Sequence, residues 1–357
     1  MRFKFAQTIL ILIGFCVSLQ ADPVPDLSGI YNVATLTPLE RPEAFGNNLY
    51  LSEEEARRIT EQAAAFDARA SANSDPERNA PKLGANVGGY NMFWIDRGDS
   101  VVSLDGRFRT SIISNPQNGR IPRMTTEGRE RLEGFLNGYR IIWRNPDPTT
   151  GKNTGTAWWL DETDGPGPYD DLEQRPLAER CIIGSRSTAG PPMLPNLYNN
   201  YKRIIQTKDS VMILVEMNHD ARVIRMNAEH RPLGVRTWLG DSVGVWKDGV
   251  LVVETINFNS TPPLSGADEN LHVTEYFQRT DEGLNYSFVV EDDTVWSESW
   301  GGEYFWPSVQ EKGYEYACHE GNYSMGNILR GARILEGEYR GMRPDANEEW
   351  YQALEAR

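Results

Sequence analysis

The sequence predicts a mainly β fold, an antiparallel β-barrel or strongly curled sheet with two to three peripheral helices. Three observations carry this. From Tyr201 to about Arg333 the chain reads as consecutive hairpins closed by short turns; Asp248-Gly249 is the clearest, because the pair supplies the two positive-φ residues of a type I′ turn. A two-residue loop there sets Lys247 opposite Val250, Trp246 opposite Leu251, Val245 opposite Val252 and Val243 opposite Glu254. Val243, Val245, Val250 and Val252 then share one side, and Trp246, Leu251 and Val253 the other, so both sides need cover. Finally, only two stretches carry full helix signals, no repeat period shows, and no linker divides the chain. A two-sheet β-sandwich is the competing arrangement.

Residues 1–21 read as a signal peptide. Arg2 and Lys4 precede an apolar run from Phe5 to Leu19, and Ala21 is a cleavage position before Asp22. That run is short for a membrane span, and no later stretch qualifies. The expected product is a secreted or periplasmic protein. Of the 36 basic residues, loss of Arg2 and Lys4 leaves 34 against 51 acidic ones, a net charge of −17. Such a field disfavours nucleic acid and anionic lipid as partners. Cleavage also removes Cys16 and leaves Cys181 and Cys318, which in an oxidising compartment either form one disulfide or stay as two separate buried thiols.

Residues 22–357 read as a single mainly β domain, with N-terminal strands, helices and covering loops over 22–200, a β-meander core over 201–333 and a tail over 334–357. Leu27 to Val33 is a first strand. Its Gly29, followed shortly by Tyr31, is similar to the way many lipocalin-like barrels begin, although Tyr31 stands where those barrels place Trp. Ser52 to Ser71 is the strongest helix: Ser52 caps it, Glu55 completes a capping box, and Ile59, Ala63, Phe66 and Ala70 form one stripe. Met92 to Asp96, Ser100 to Leu104 and Arg107 to Ile113 are strand candidates, the last two joined at Asp105-Gly106. A second helix spans Thr126 to Asn137, and Tyr139 to Arg144 and Thr156 to Leu160 are further strands. The acidic loop Asp161 to Asp171 matches no calcium-loop spacing. Gly190 to Pro195 can pair with little and is expected to arch over one end of the sheet as a lid. Hairpins follow at Lys208-Asp209, Asp248-Gly249 and Asp281-Glu282-Gly283, then a last strand region over Val295 to Phe305, a short helix or coil over Gly321 to Arg333, and a terminal helix over Asp345 to Arg357.

Four runs, Leu36 to Pro42, Gly190 to Pro195, Glu216 to Arg222 and Tyr316 to Tyr323, resemble a widespread, uncharacterised family of secreted bacterial proteins. The similarity spans nearly the whole mature chain. It implies that the four runs belong to one fold unit, and it implies no catalytic residue.

Candidate chemistry centres on four histidines. A three-residue loop closing Thr280 on Leu284 sets His272 opposite Asp292 with Tyr276 on the same side, which is an acid–base set if a carboxylate fixes the imidazole near a phenol. A structural hydrogen bond at a barrel rim is the alternative, and a one-residue slip changes the face. His219 and Asp220 fall in a turn, with Glu216 and Arg222 flanking them as an ion pair, or with Arg222 free to grip a ligand carboxylate. A disulfide from Cys318 to Cys181 would bring His319 and Glu320 beneath the arch that carries Met193. Glu254 is either a carboxylate of raised pKa among valines or a rim residue in water. Gly240-Asp241-Ser242-Val243-Gly244 fits a nucleophile-elbow pattern, but a second strand follows where that elbow needs a helix. No close His-x-His or Cys-x-x-Cys spacing exists, so no metal and no cofactor are predicted.

The first functional expectation is therefore a barrel whose interior holds a small apolar or aromatic molecule, oriented by His272, Tyr276, His319 and Glu320. The second is a cofactor-free acid–base enzyme, an isomerase, lyase or hydrolase, on the same scaffold. The third is a carbohydrate-binding module stacking sugars on Trp296 and Trp300.

Overall fold

The computed structural model describes residues 24–73, 77, 79, 94–132, 171–184, 187–188, 190–260, 264, 266–311 and 313–339. The predicted signal peptide, the strands at 139–144 and 156–160, nearly all of the acidic loop and the helix at 345–357 lie outside these residues.

Strand β1 (Gly29–Asn32) is followed by β2 (Tyr50–Leu51) and helix α1 (Glu53–Ala70). The capping box holds: the Ser52 side chain accepts from the Glu55 N–H, and the Glu55 carboxylate accepts from the Ser52 N–H at 2.8 Å. A small sheet joins β2 to β4 (Arg107–Arg109) and β4 to β3 (Ser103–Leu104), with Asp105 and Gly106 both at positive φ in the β3–β4 turn. Strand β5 (Ile113–Asn115) leads away from it.

In the second half, burial alternates along β6 (Tyr201–Gln206), β7 (Ser210–Val215), β8 (Asp220–Met226), β10 (Val250–Ile256) and β11 (His272–Arg279), as a pleat with one covered face requires. Lys202 and Ile204 are buried on β6, Val211, Ile213 and Val215 on β7, and Arg222 and Ile224 on β8. The meander continues through β9 (Asp241–Lys247), β10, β11, β12 (Gly283–Glu291) and β13 (Trp300–Val309). All four pairs anticipated across Asp248-Gly249 form, and the turn has φ of 49° and 77°. Helix α2 (Tyr323–Tyr339) follows β13.

The second-half strands close on themselves. β1 pairs with both β6 and β13, so nine strands, β1 and β6 to β13, form a closed barrel, and β5 adds to the same side of β13 further along. A ring of nine cannot reverse direction at every step, so one neighbouring pair must be parallel. That pair is β8 and β9, bonded only through Ile224, Arg225 and Met226 opposite Ser242, Val243 and Gly244. Where β5, β12 and β13 meet, a Cβ on Gly301 or Gly302 would lie 2.3 Å from the Phe288 carbonyl or 2.5 Å from that of Ile112, so only glycine fits. The closed ring excludes the two-sheet sandwich.

The barrel is filled. Tyr286 stacks on Trp306 at 4.5 Å, Phe277 meets Trp306 edge-on at 5.8 Å, and Phe288 meets Trp300 at 5.8 Å. The Gly190 to Pro195 segment is no lid over a hollow but a plug: Met193 is fully buried, its N–H donates to the Tyr286 hydroxyl at 2.8 Å, and its carbonyl accepts from the Tyr304 hydroxyl at 2.7 Å. Trp296 and Trp300 are core residues, 3% and 0% exposed, which removes them as a sugar-stacking surface.

Other expectations shift in detail. Residues 94–96 form no strand, and residues 126–132 are the described part of the second helix. The last strand starts at Trp300, and α2 is longer than expected. In the β11–β12 hairpin Arg279, not Thr280, faces Leu284, because Thr280 belongs to the turn and its N–H donates to the Gly283 carbonyl. The register moves by one, and His272 faces Glu291 instead of Asp292. Among the described residues no helix is long and apolar enough to cross a membrane.

Cys181 and Cys318 form a disulfide across 137 positions. Replacing both with alanine should cost on the order of 5 kcal/mol, the chain-entropy figure for loops of this size. Chemical denaturation of the variant against the oxidised protein measures the difference; equal midpoints would show that the crosslink does not stabilise the fold.

Candidate functional site

The parallel seam of the barrel is short. Only Ile224 to Met226 are bonded to β9, so the first residues of β8 stand beside the end of the 227–240 crossover rather than beside a strand. A hollow of about 370 Å³ opens there, lined on one side by His219 to Val223 and Arg225, on the other by Thr237 to Ser242, with Ile182 and Arg231 completing it. Trp238 is 37% exposed and Val223 51% exposed at this hollow, so large apolar side chains are left in water around a concave surface.

A polar relay lies beneath the seam. The Arg222 side chain, 2% exposed, points into the barrel. Its Nε donates to Ser242 Oγ at 3.0 Å, Nη2 to Thr255 Oγ1 at 3.0 Å, and Nη1 to Glu275 Oε1 at 3.0 Å, while Nη2 also reaches Glu275 Oε2. Glu275 Oε1 accepts from the Tyr286 hydroxyl at 2.8 Å, which links the pair to Met193 in the plug. Burial, with the neighbouring Glu275 carboxylate adding to it, pushes the Tyr286 phenol well above its ordinary range. A buried ion pair is tolerated when its remaining donors and acceptors are satisfied, and hydroxyls do that here.

Strand register places a second buried cation nearby. Lys202, Val215 and Asp220 lie opposite one another on β6, β7 and β8. Lys202 Nζ donates to the Thr188 carbonyl at 2.6 Å. Burial pulls its pKa down to about 7, against the attraction of Asp220. Burial pushes Asp220 up to about 6, opposed by the Gly184 N–H at 3.0 Å, then by Lys202 and His219. Asp220 thus lines the hollow with a carboxyl that exchanges protons near neutrality.

Outside the wall runs a ladder of alternating charge. Arg225 Nη2 bonds both Asp241 oxygens at 3.0 and 2.9 Å, and His230 contacts Asp241 through Nδ1 at 3.1 Å and Glu254 through Nε2 at 3.3 Å. His272 contacts Glu254 through Nε2 at 3.0 Å and Glu291 through Nδ1 at 3.3 Å. Burial opposes ionisation of Asp241, but the Arg231 N–H, His230 and Arg225 hold its carboxyl below the ordinary range. Among the described residues no group of three or more His, Cys, Asp or Glu is arranged to hold a metal ion.

The structure divides the predicted residues. His219, Asp220 and Arg222 come together at the seam. Arg222 bonds Glu275 and not Glu216, which sits 3.7 Å from the exposed His219. His272 and Glu254 belong to the outer ladder, with Glu254 half exposed rather than among valines. Tyr276 lies further along that outer wall, and buried Asp292 is bonded to Thr294. His319 and Glu320 are exposed on the disulfide loop and line neither the seam nor the interior. Lys202 and Tyr286 were not anticipated, and His230 and Glu275 were assigned no role. The available signal was a charged residue at an inward position between apolar neighbours, as in Lys202-x-Ile204 and Val273-x-Glu275-x-Phe277. No protein-family model, curated protein or solved structure matches this chain.

The two perturbed groups act on stability over different pH windows. Asp220, raised from 3.8 to about 6, stabilises the fold fully below pH 3.8, and that contribution is lost as pH rises through 6. Lys202, lowered from 10.5 to about 7, contributes above pH 10.5, and its contribution is lost as pH falls through 7. Asp220→Asn should therefore flatten the melting-temperature profile between pH 4 and 6, and Lys202→Met between pH 7 and 10. Profiles parallel to wild type would contradict the burial of these charges.

Proposed function

We propose that this chain is a secreted or periplasmic binding barrel that takes a small, mostly apolar molecule in the hollow at the β8–β9 seam. The observation that carries the reading is the lining of that hollow: Ile182, Val223, Trp238 and Leu239 offer an apolar surface, and Arg231 offers positive charge beside it. Such a lining suits an apolar or aromatic body with one acidic end, and the volume lies within the range of small-molecule sites. The barrel interior is not the place for it, because Met193 and the aromatic rings occupy that space. Secretion accords with the leader read at residues 1–21 and with the disulfide.

Asp220 favours a second reading, acid–base catalysis at the same hollow, because its carboxyl is tuned toward neutrality beside His219.

Titration with 1-anilinonaphthalene-8-sulfonate, an aromatic anion, tests the binding reading. Saturable fluorescence enhancement is expected, weakened about tenfold by Trp238→Ala and by Arg231→Ala, each removing roughly 1–2 kcal/mol of contact. Enhancement unaffected by either substitution would reject the seam as the site. Incubation with p-nitrophenyl butyrate tests the second reading: hydrolysis abolished by Asp220→Asn with probe affinity kept would establish catalysis, and no release of nitrophenol would leave a carrier.

A further inference from the structure

A separate cleft lies between the small sheet and the outer wall of the barrel. Its floor follows from strand register. Val250, Gln278, Asn285 and Phe305 form one row across β10 to β13, and Val252, Tyr276, Ser287 and Glu303 form the next, all on the outward face. The small sheet stands over these rows with Tyr50, Arg107 and Arg109. Two hollows of about 410 and 710 Å³ occupy the space between, and they share Leu104, Asp105 and Asn285.

The floor carries unspent hydrogen-bonding capacity. The amides of Gln278 and Asn285 and the hydroxyls of Tyr276 and Ser287 have no side-chain partner among the described residues. Neighbouring strands lie about 4.8 Å apart, so these groups recur at roughly the spacing of equatorial hydroxyls on alternate carbons of a sugar ring. Tyr50, Tyr276 and Phe305 add aromatic faces.

The two ends of the cleft differ in charge. At one end the Arg107 guanidinium stacks 3.9 Å from the Tyr50 ring centre and that of Arg109 lies 5.4 Å from it. Arg109 is 4% exposed; one nitrogen is paired with Glu303, and Nε and Nη1 have no partner among the described residues. Arg41, 2% exposed, also leaves Nε and Nη2 unpartnered and adds its charge near Arg109. A strongly acidic chain has thus concentrated three guanidiniums where, among the described residues, two carboxylates, Glu303 and Asp105, answer them. At the other end Asp281 and Glu282 present acceptors only, suited to donated hydroxyl protons.

We infer that this cleft binds a saccharide bearing a single uronic acid, with the carboxylate at Arg107 and Arg109 and the neutral sugar units running along Asn285 toward Asp281 and Glu282. An anion alone would leave the amide and hydroxyl rows unused, and an apolar ligand would leave both charged ends desolvated and unpaired. A polyanionic sugar would meet the acidic end with like charge.

Isothermal titration with xylotriose carrying one glucuronic acid tests the assignment, beside the same oligosaccharide with its carboxyl reduced to an alcohol. Saturable binding of the acid is expected, weaker by about tenfold or more for the reduced form, as loss of a charge-assisted contact implies. Arg107→Gln and Asn285→Ala should each lower affinity by about tenfold. Arg107 is exposed and Asn285 faces outward, so melting temperatures should match wild type. No saturable binding of the acid, equal binding of the two forms, or affinity unchanged in both variants would each overturn the inference.

Discussion

Arg222 stands at the one joint of the ring that is parallel. Eight of the nine joints in the barrel are antiparallel, but the ninth must be parallel, and β8 and β9 share only three residue partners there. Closure at that joint is completed by side chains. The Arg222 guanidinium reaches across it to Ser242 on β9 and Thr255 on β10, and ends on Glu275 of β11. One buried cation therefore spans four consecutive strands, and the surrounding hydroxyls meet the cost of taking its charge out of water. Tyr286 passes the same network to the backbone of Met193, so the seam and the plug are held by one set of hydrogen bonds.

This arrangement decides where ligands can go. In a barrel of this size the inward side chains are enough to fill the bore, and aromatic residues from β11, β12 and β13 do so. Space remains where the wall is interrupted, at the seam, and where a second layer stands off from it, beneath the small sheet. The two places differ chemically because they draw on different strands, β8 and the start of β9 at the seam and β10 to β13 in the outer cleft. The seam combines the buried titrating pair of Lys202 and Asp220 with exposed apolar rings, whereas the outer cleft uses the polar positions that alternate with the core.

Much of the wall was legible in the residues alone. The Asp248-Gly249 turn requires two positive φ angles, which sets the register of β9 and β10 without reference to the rest of the chain. The Ser52 capping box likewise needs only residues three apart. The Asp281 to Gly283 turn was less readable, since its glycine belongs to the strand end and Thr280 to the turn, and a single-residue change of register moved the carboxylate facing His272 from Asp292 to Glu291. His219, Asp220 and Arg222 were recognisable as a group because they are neighbours in the chain. Their partners Lys202 and Glu275 were not, because they come from strands 18 residues before and 53 residues after.

The sequence by itself determined most of the strands after Tyr201, where most of them turn, which cysteines can pair and which faces are apolar, because all of these depend on short-range geometry and residue chemistry. Only the tertiary structure decided that the ring closes through β1, that an odd strand count leaves one parallel seam, and that the Pro-rich arch enters the barrel instead of covering it. Those outcomes depend on contacts between residues far apart in the chain, whose relative height is settled only when every strand has found its neighbour.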